Sequence, residues 1–274
     1  MKTLVQSMRG KGASAPLLPD IHPALTEATV RVRRGQMMMV TATPGGGKSL
    51  LALYYAVKRR PGRTLYFSLD TDITTMRNRT AAMLLDLTTE EVEMYSIAEE
   101  DGFIEEALDP LSAEIRWCTN ARNMQDVDDE ISAFAEAFGD WPDLVIIDVL
   151  LNLDGGGDDW AGSMQVMSDL HDLAHSREIA VMVLHHNAER RTDQTTPAPR
   201  ADMIMKVAQF PEVVLSLALE PDLGELRVAT VKNRSGKADP RASSYVSLPV
   251  DMATMTIFDS LEERQRKQKM GEWT

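Results

Sequence analysis

The sequence predicts an α/β chain: a doubly wound, mostly parallel sheet with an antiparallel hairpin near its C-terminal end. Three observations carry that prediction. Short apolar runs alternate with segments whose apolar residues recur at helical spacing, as helices crossing between parallel strands require. Two of the runs, "DLVIIDVL" (143–150) and "IAVMVLHH" (179–186), are continuous rather than alternating, as strands covered on both faces are. Late in the chain "EVVLSLALE" and "ELRVATVKN" are joined by "PDLG", a hairpin turn.

Taken in order, "GQMMMVTAT" (35–43) is an apolar strand ending in a glycine-rich turn, and "SLLALYYAVKR" has helical spacing. "TLYFSLD" (64–70) reads as a strand that stops at a carboxylate, and "ITTMRNRTAAMLLDL" (73–87) as a helix with Met76, Met83, Leu84 and Leu87 on one side. "MQDVDDEISAFAEAFG" (124–139) repeats apolar residues at i, i+3, i+4 and i+7 and ends at Gly139. "SMQVMSDLHDLAHSRE" returns to helix, and "MATMTIFD" reads as one more strand after the hairpin. Met37–Met39 are core strand residues on this reading. The long Thr-, Pro- and Arg-rich segment "NAERRTDQTTPAPRAD" (187–202) is a loop, and loops of that length inside a compact domain are usually functional or mobile.

Composition narrows the class. With 274 residues, 43% hydrophobic and 26% charged, the chain has enough apolar surface for one large α/β domain. The single cysteine, Cys118, excludes an intramolecular disulfide and fits a reducing cytoplasm. No apolar stretch approaches the roughly 18 residues of a membrane span, and residues 1–24 lack the apolar core of a secretory signal, so they read as a mobile arm. The net charge of −13 is uneven: Asp86 to Asp143 holds 18 acidic residues against Arg116 and Arg122, a charge of −16 that leaves the rest at about +3. That acidic stretch is a solvated helical surface that repels nucleic acid, so any polyanion must meet other parts of the chain.

"ATPGGGKS" (Ala42–Ser49) has the spacing of a phosphate-binding P-loop, with alanine where glycine often starts it. After Thr43 and Pro44, the glycines Gly45, Gly46 and Gly47 let the backbone N–H groups face phosphates. Lys48 brings a cation to the β- and γ-phosphates, and Ser49 offers a hydroxyl ligand to Mg²⁺. The helix that follows points its positive dipole end at the same anions. ATP and Mg²⁺ are the implied ligands. A second metal carboxylate belongs at the end of a buried strand, where Asp148 closes "LVIID". Asp70, closing "YFSLD", is the candidate to orient or deprotonate the attacking water, its other reading being a turn residue that caps the next helix, and Asp72 competes for the role.

In order and approximate spacing, "RGQMMMVTATPGGGKSLLAL", "LYFSLD", "LVIIDVL", "VMVLHHN" and "VATVKNRSG" resemble the RecA-like ATPase domain of DnaB-type replicative helicases, over about residues 25–258. The chain is also similar to the small phage- and plasmid-type hexameric helicases, and "KNRSG" to the lysine–arginine motif of RadA-type relatives. The resemblance implies an arm (1–24), a RecA-like ATPase domain (25–260) and a charged tail (261–274). Lys48, Ser49 and Asp148 match the phosphate and Mg²⁺ residues, and Asp70 stands where the family usually has the catalytic glutamate, one methylene shorter. His186 falls at the γ-phosphate-sensing glutamine, next to His185, and an imidazole there is expected to change charge near neutral pH. Lys232 and Arg234 match the pair that reaches into a neighbouring subunit's ATP site.

The implied function is an ATP-driven helicase or translocase of DNA replication that forms a ring, hexameric as in the family. It would work in the cytoplasm, host cytoplasm for a phage chain. Single-stranded DNA is the implied partner, with primase or other replisome proteins beside it. The domain that often precedes this motor is not expected in the roughly 25 residues before it. Two segments are placed to line the channel: "LNLDGGGDDW" (151–160), with Trp160 as a stacking residue, and 187–200, with Arg190, Arg191 and Arg200 for DNA phosphates. "ERQRKQK" (263–269) reads equally as phosphate contact or as a helix end. His171 and His175, four apart, read as a solvated helix face because no glutamate follows the first histidine. Two other readings are a RecA/RadA-like recombination ATPase and a nucleotide-gated scaffold with slow hydrolysis.

Overall fold

The structure, a computed structural model, describes residues 16–157, 159–188, 194–204 and 207–271. Nine strands form one sheet: β1 (Met37–Ala42), β2 (Thr64–Ser68), β3 (Ile115–Cys118), β4 (Leu144–Asp148), β5 (Ala180–His186), β6 (Val213–Glu220), β7 (Glu225–Asn233), β8 (Val246–Asp251) and β9 (Thr256–Ile257). Their order is β3-β2-β4-β5-β1-β6-β7-β8-β9. The first six in that order are parallel, and β7, β8 and β9 add on antiparallel. The sheet is therefore of the predicted class, with two strands, β3 and β8, beyond those expected.

Alternation within the apolar runs explains why both faces are covered. Met38, Val40, Leu144, Ile146, Met182 and Leu184 point into one core, while Met37, Met39, Val145, Ile147, Val181 and Val183 point into the other. The first core is closed by α2 (Lys48–Tyr54), through Leu50, Leu51 and Leu53, and by α3 (Ile73–Leu85), through Met76 and Met83. The second is closed by α6 (Met124–Phe138), through Val127, Ile131 and Phe134, and by α7 (Trp160–Arg177), through Val166, Met167 and Leu170. Asn123 starts α6 with a capping box, and Gly139 ends it at φ 75°, a left-handed conformation that glycine adopts without a Cβ penalty.

The acidic stretch contains more structure than its sequence predicts. After the capping box of Thr88 and Glu91, α4 (Thr89–Ile97) leads to α5 (Gly102–Leu108) and to the edge strand β3. Val92 and Ile104 pack with Ala81 and Ala82 of α3 in a small separate core. The late strand expected in "MATMTIFD" reduces to Thr256–Ile257, and its pairing partner β8 holds the longer run.

Of the arm expected over residues 1–24, the described part is tied to the domain. Leu18 and Ile21 are buried with Leu25 of α1 (Pro23–Glu27), and the His22 ring hydrogen-bonds to Phe258 O at 3.1 Å. Leu18 N also donates to Val32 O at 3.0 Å, so burial and a backbone bond hold this segment to the domain. The C-terminal residues form α8 (Leu261–Gly271), where Arg264 donates to Leu223 O at 2.8 Å and Lys267 pairs with Asp86 at 2.6 Å. Among the described residues no helix is long and apolar enough to cross a membrane.

Candidate nucleotide-binding site

The loop between β1 and α2 sits at the C-terminal edge of the parallel strands, where open α/β sheets bind ligands. Gly45 and Gly47 have φ of 73° and 86°, so the loop needs left-handed backbone at both. A Cβ at Gly46 would meet Ala42 Cβ at 2.7 Å, which leaves glycine the residue that fits there. Pro44, the three glycines, Lys48, Ser49, Asp70 and His186 line one cavity of about 260 Å³, and Thr43 is buried without lining it. P-loop, strand-end carboxylate and histidine strand thus converge although they lie far apart in sequence.

The buried Lys48 ammonium donates to Ala42 O at 3.4 Å, to Thr43 O at 3.3 Å and to His186 Nδ1 at 3.3 Å. Burial pushes its pKa down to about 8, against the pull of Asp148 and Asp70. The same contact sets the histidine. An ammonium has only donors, so Nδ1 of His186 accepts and the ring proton sits on Nε2, free to donate to a phosphate. Burial first, then the charge of Lys48, lowers the His186 pKa to about 4. The expectation that His186 changes charge near neutral pH is therefore corrected: the ring is neutral there. His185 points the other way, is buried, and its Nε2 donates to Ile204 O at 2.8 Å, a tether for the segment after β5.

Asp148 is 3% exposed and burial raises its pKa, opposed by Tyr66, Ser49 and Lys48 in that order. Its Oδ2 accepts from Tyr66 Oη at 2.8 Å, whereas its Oδ1 is buried with no hydrogen-bond partner. A buried orphan carboxylate oxygen beside a P-loop serine hydroxyl fits a divalent cation, so Ser49 and Asp148 suit Mg²⁺. Asp70 is exposed in the cavity, where Asn152 Nδ2 donates to Leu69 O at 2.9 Å and approaches Asp70 Oδ1 at 3.5 Å. Asp72 is the cap: its Oδ1 accepts from the N–H groups of Thr74 and Thr75. Geometry thus separates the two carboxylates. Sequence reasoning missed Tyr66, Asn152, Arg79 and Met255; the last two also line the cavity, and no motif marks any of the four.

Lys232 and Arg234 lie elsewhere. Arg234 N donates to Glu212 O and Glu212 N to Met37 O, which puts this pair at the start of β1. The P-loop follows its end, five strand rises or about 17 Å away. Lys232 Nζ donates to the carbonyls of Ala208 and Gln209, both at 2.8 Å, and Arg234 to Gln209 O at 2.9 Å and Glu212 Oε1 at 3.3 Å. Burial, then Arg234, lowers the Lys232 pKa to about 8. Arg200 is exposed and lines the same groove as Lys232, so it stands with these cations rather than apart from them. Arg190 and Arg191 lie outside the described residues. Trp160, 59% exposed, begins α7.

A mostly parallel sheet with this strand order, a P-loop after β1 and a carboxylate closing β4 define the class: a P-loop ATPase fold of the RecA-like kind. More particularly, a family model described as an AAA domain matches residues 30–191, and the chain belongs to that family. It is 31% identical to the gene 65 protein of Mycobacterium phage L5, over 94% of this chain and 99% of that protein. It is 32% identical to the gene 65 protein of Mycobacterium phage D29, over 81% of this chain and 99% of that protein. Among solved structures it is similar to one described as an ATPase domain (TM-score 0.78, 15% identity, 94% of this chain and 96% of that one). It is similar also to a DnaB-like replicative helicase described with its interactions with primase (TM-score 0.76, 16% identity, 93% of this chain and 66% of that one). The fold is that of the ATPase domains of DnaB-like helicases.

Proposed function

We propose that the chain is the ATP-hydrolysing motor of a ring that moves along single-stranded DNA, a replicative helicase or translocase working in the cytoplasm of a phage-infected host. One observation carries the reading. The two cations that match the family's trans pair sit at the far end of β1 from their own P-loop, too distant to serve it, with Arg234 exposed and Lys232 half-buried at the sheet's other end. A cation so placed acts on ATP only if another copy brings its P-loop to it. Contacts between unlike surfaces of this kind close into rings when the rotation allows.

In the chain's own site the loop N–H groups and Lys48 would hold the β- and γ-phosphates, and Ser49 and Asp148 would hold Mg²⁺. The bound cation would neutralise charge developing on the phosphate oxygens. Asp70, braced through Asn152, orients the attacking water and takes its proton. His186 donates through Nε2–H to the γ-phosphate as a neutral group. Arg234 from the neighbour, with Lys232, stabilises the transition state, a contribution worth orders of magnitude in rate when supplied in trans. Arg190 and Arg191, with Arg200 at the groove, are the DNA phosphate contacts.

Mixing variants tests this. Lys48→Ala and Arg234→Ala are each expected to hydrolyse ATP poorly. Mixed, they form boundaries with one intact P-loop facing one intact Arg234, and part of the activity returns. Full activity of Arg234→Ala alone, or no recovery in the mixture, overturns the trans assignment.

A further inference from the structure

We infer that His171, His175 and Glu212 form a site for a Zn²⁺-class divalent cation that competes with Arg234 for the Glu212 carboxylate. The histidines lie four apart on α7 and therefore on one face, with their rings in contact, centroids 4.5 Å apart and nearly perpendicular. Glu212 comes from the turn before β6 and closes the third side. One donor atom from each residue lies within 4.8 Å of the other two, and His171 Nε2 is 3.7 Å from Glu212 Oε1. Two ligands at about 2.0–2.1 Å on a tetrahedral centre stand about 3.4 Å apart, so small side-chain rotations bring the three to a metal.

The surroundings are those of a ligand set. The Nδ1 of His171 lies 3.7 Å from the exposed Asp172 carboxylate, while its Nε2 faces Glu212. Glu212 is buried, and its Oε2 accepts from Met37 N at 2.9 Å, which fixes the carboxylate whatever Oε1 does. His175 is exposed and opens the fourth position to solvent. Two imidazoles with one carboxylate suit Zn²⁺, Co²⁺ or Ni²⁺ and not Mg²⁺, which prefers oxygen ligands.

The oxygen at issue is shared. Arg234 approaches the same Glu212 Oε1 at 3.3 Å. Two neutral imidazoles and one carboxylate around a dication leave a net positive charge, so the guanidinium is repelled and its carboxylate anchor is lost. Loading the site would release Arg234 from Glu212 and leave the Gln209 carbonyl as its remaining side-chain contact. This consequence for hydrolysis rests on the proposed trans role of Arg234, whereas the metal site and the competition do not.

The test uses the tag-free full chain without nucleotide, in excess Mg²⁺ to suppress weak binding by acidic residues. Co²⁺ alone is titrated and followed by its visible absorption, then displaced with Zn²⁺. One ion per chain is expected. His175→Ala, at an exposed position that leaves the fold intact, and His171→Asn are each expected to weaken binding about tenfold or more. Arg234→Ala removes the competing cation and is expected to tighten binding about fivefold or more, by the reciprocity of linked equilibria. Melting temperatures report whether each variant is folded. Binding that is absent, or unchanged in both histidine variants, overturns the site; unchanged affinity in Arg234→Ala overturns the competition. No ATP turnover enters these readouts, so their failure is distinct from failure of the motor reading.

Discussion

Tyr66→Phe isolates what positions Asp148. The Tyr66 hydroxyl is the donor on Asp148 Oδ2, at 2.8 Å, and both side chains are buried. A hydrogen bond to an ionised group in such surroundings contributes about 1.5–3 kcal/mol, so its loss corresponds to roughly a 10- to 100-fold change in an equilibrium that needs the ionised carboxylate. Burial already raises the Asp148 pKa and Tyr66 opposes that rise, so the variant's pKa moves further up. A carboxylate with a raised folded-state pKa binds its proton more tightly than in the unfolded chain. It therefore costs stability once the pH exceeds its folded pKa, and below its unfolded pKa that cost vanishes. In Tyr66→Phe the acid limb of the ATPase pH profile shifts to higher pH, and half-saturating Mg²⁺ at neutral pH rises by up to that roughly 10- to 100-fold range. Steady-state rates across a pH series and a Mg²⁺ titration measure both. An unshifted acid limb with wild-type Mg²⁺ dependence refutes the assignment of Asp148, oriented by Tyr66, as the metal carboxylate.

His186→Gln is expected to keep most of the turnover, because an amide also donates to a phosphate, whereas His186→Ala loses about a hundredfold or more, the size of one lost transition-state donor. Because the ring of the free enzyme is neutral above its pKa of about 4, kcat/KM for wild type and His186→Gln is expected to have the same pH profile from about pH 6 to 8. Gly47→Ala forces a Cβ onto a backbone at φ 86° and within 2.5 Å of Leu226 Cδ1. It is expected to cost about 1–2 kcal/mol in thermal or urea unfolding and to weaken binding of a fluorescent ATP analogue. Asp72→Ala removes a helix cap and is expected to cost about 1 kcal/mol of stability with turnover retained, while Asp70→Asn keeps stability and loses turnover; the reverse pattern exchanges the roles of the two carboxylates.

How far the sequence can be read depends on whether a residue's role is local. Strands whose two faces are both buried announce themselves as continuous apolar runs, so Leu144–Asp148 and Ala180–His186 fall inside the expected segments. The P-loop is legible for the same reason, because its glycines serve the backbone of their own turn. Where burial is sparse the pattern fades: α4 buries only Val92 and α5 only Ile104, and in β3 only Ile115 and Cys118 are buried, with Arg116 exposed and Trp117 half-buried between them. Pro249 disguises β8, although at that position it pairs with Glu225 through a strand that needs no N–H from it. The state of His186 is not legible, since it is set first by burial and then by Lys48, 138 positions earlier. Asp70 and Asp72 look equivalent until Thr74 and Thr75 show which carboxylate the helix has taken. Arg234 is marked by its motif, but its partner Glu212, across the turn before β6, leaves no trace in the sequence pattern.

The central claim is that ATP is hydrolysed between copies of this chain and that DNA in the assembly drives it. The most direct measurement is the ATPase rate per chain across a range of chain concentrations, with and without single-stranded DNA, while the mass of the assembly is recorded in the same samples. The account predicts that the rate per chain rises where the oligomer forms, and that single-stranded DNA stimulates the oligomer's rate several-fold. A monomer whose rate per chain is constant with concentration and indifferent to single-stranded DNA would contradict it.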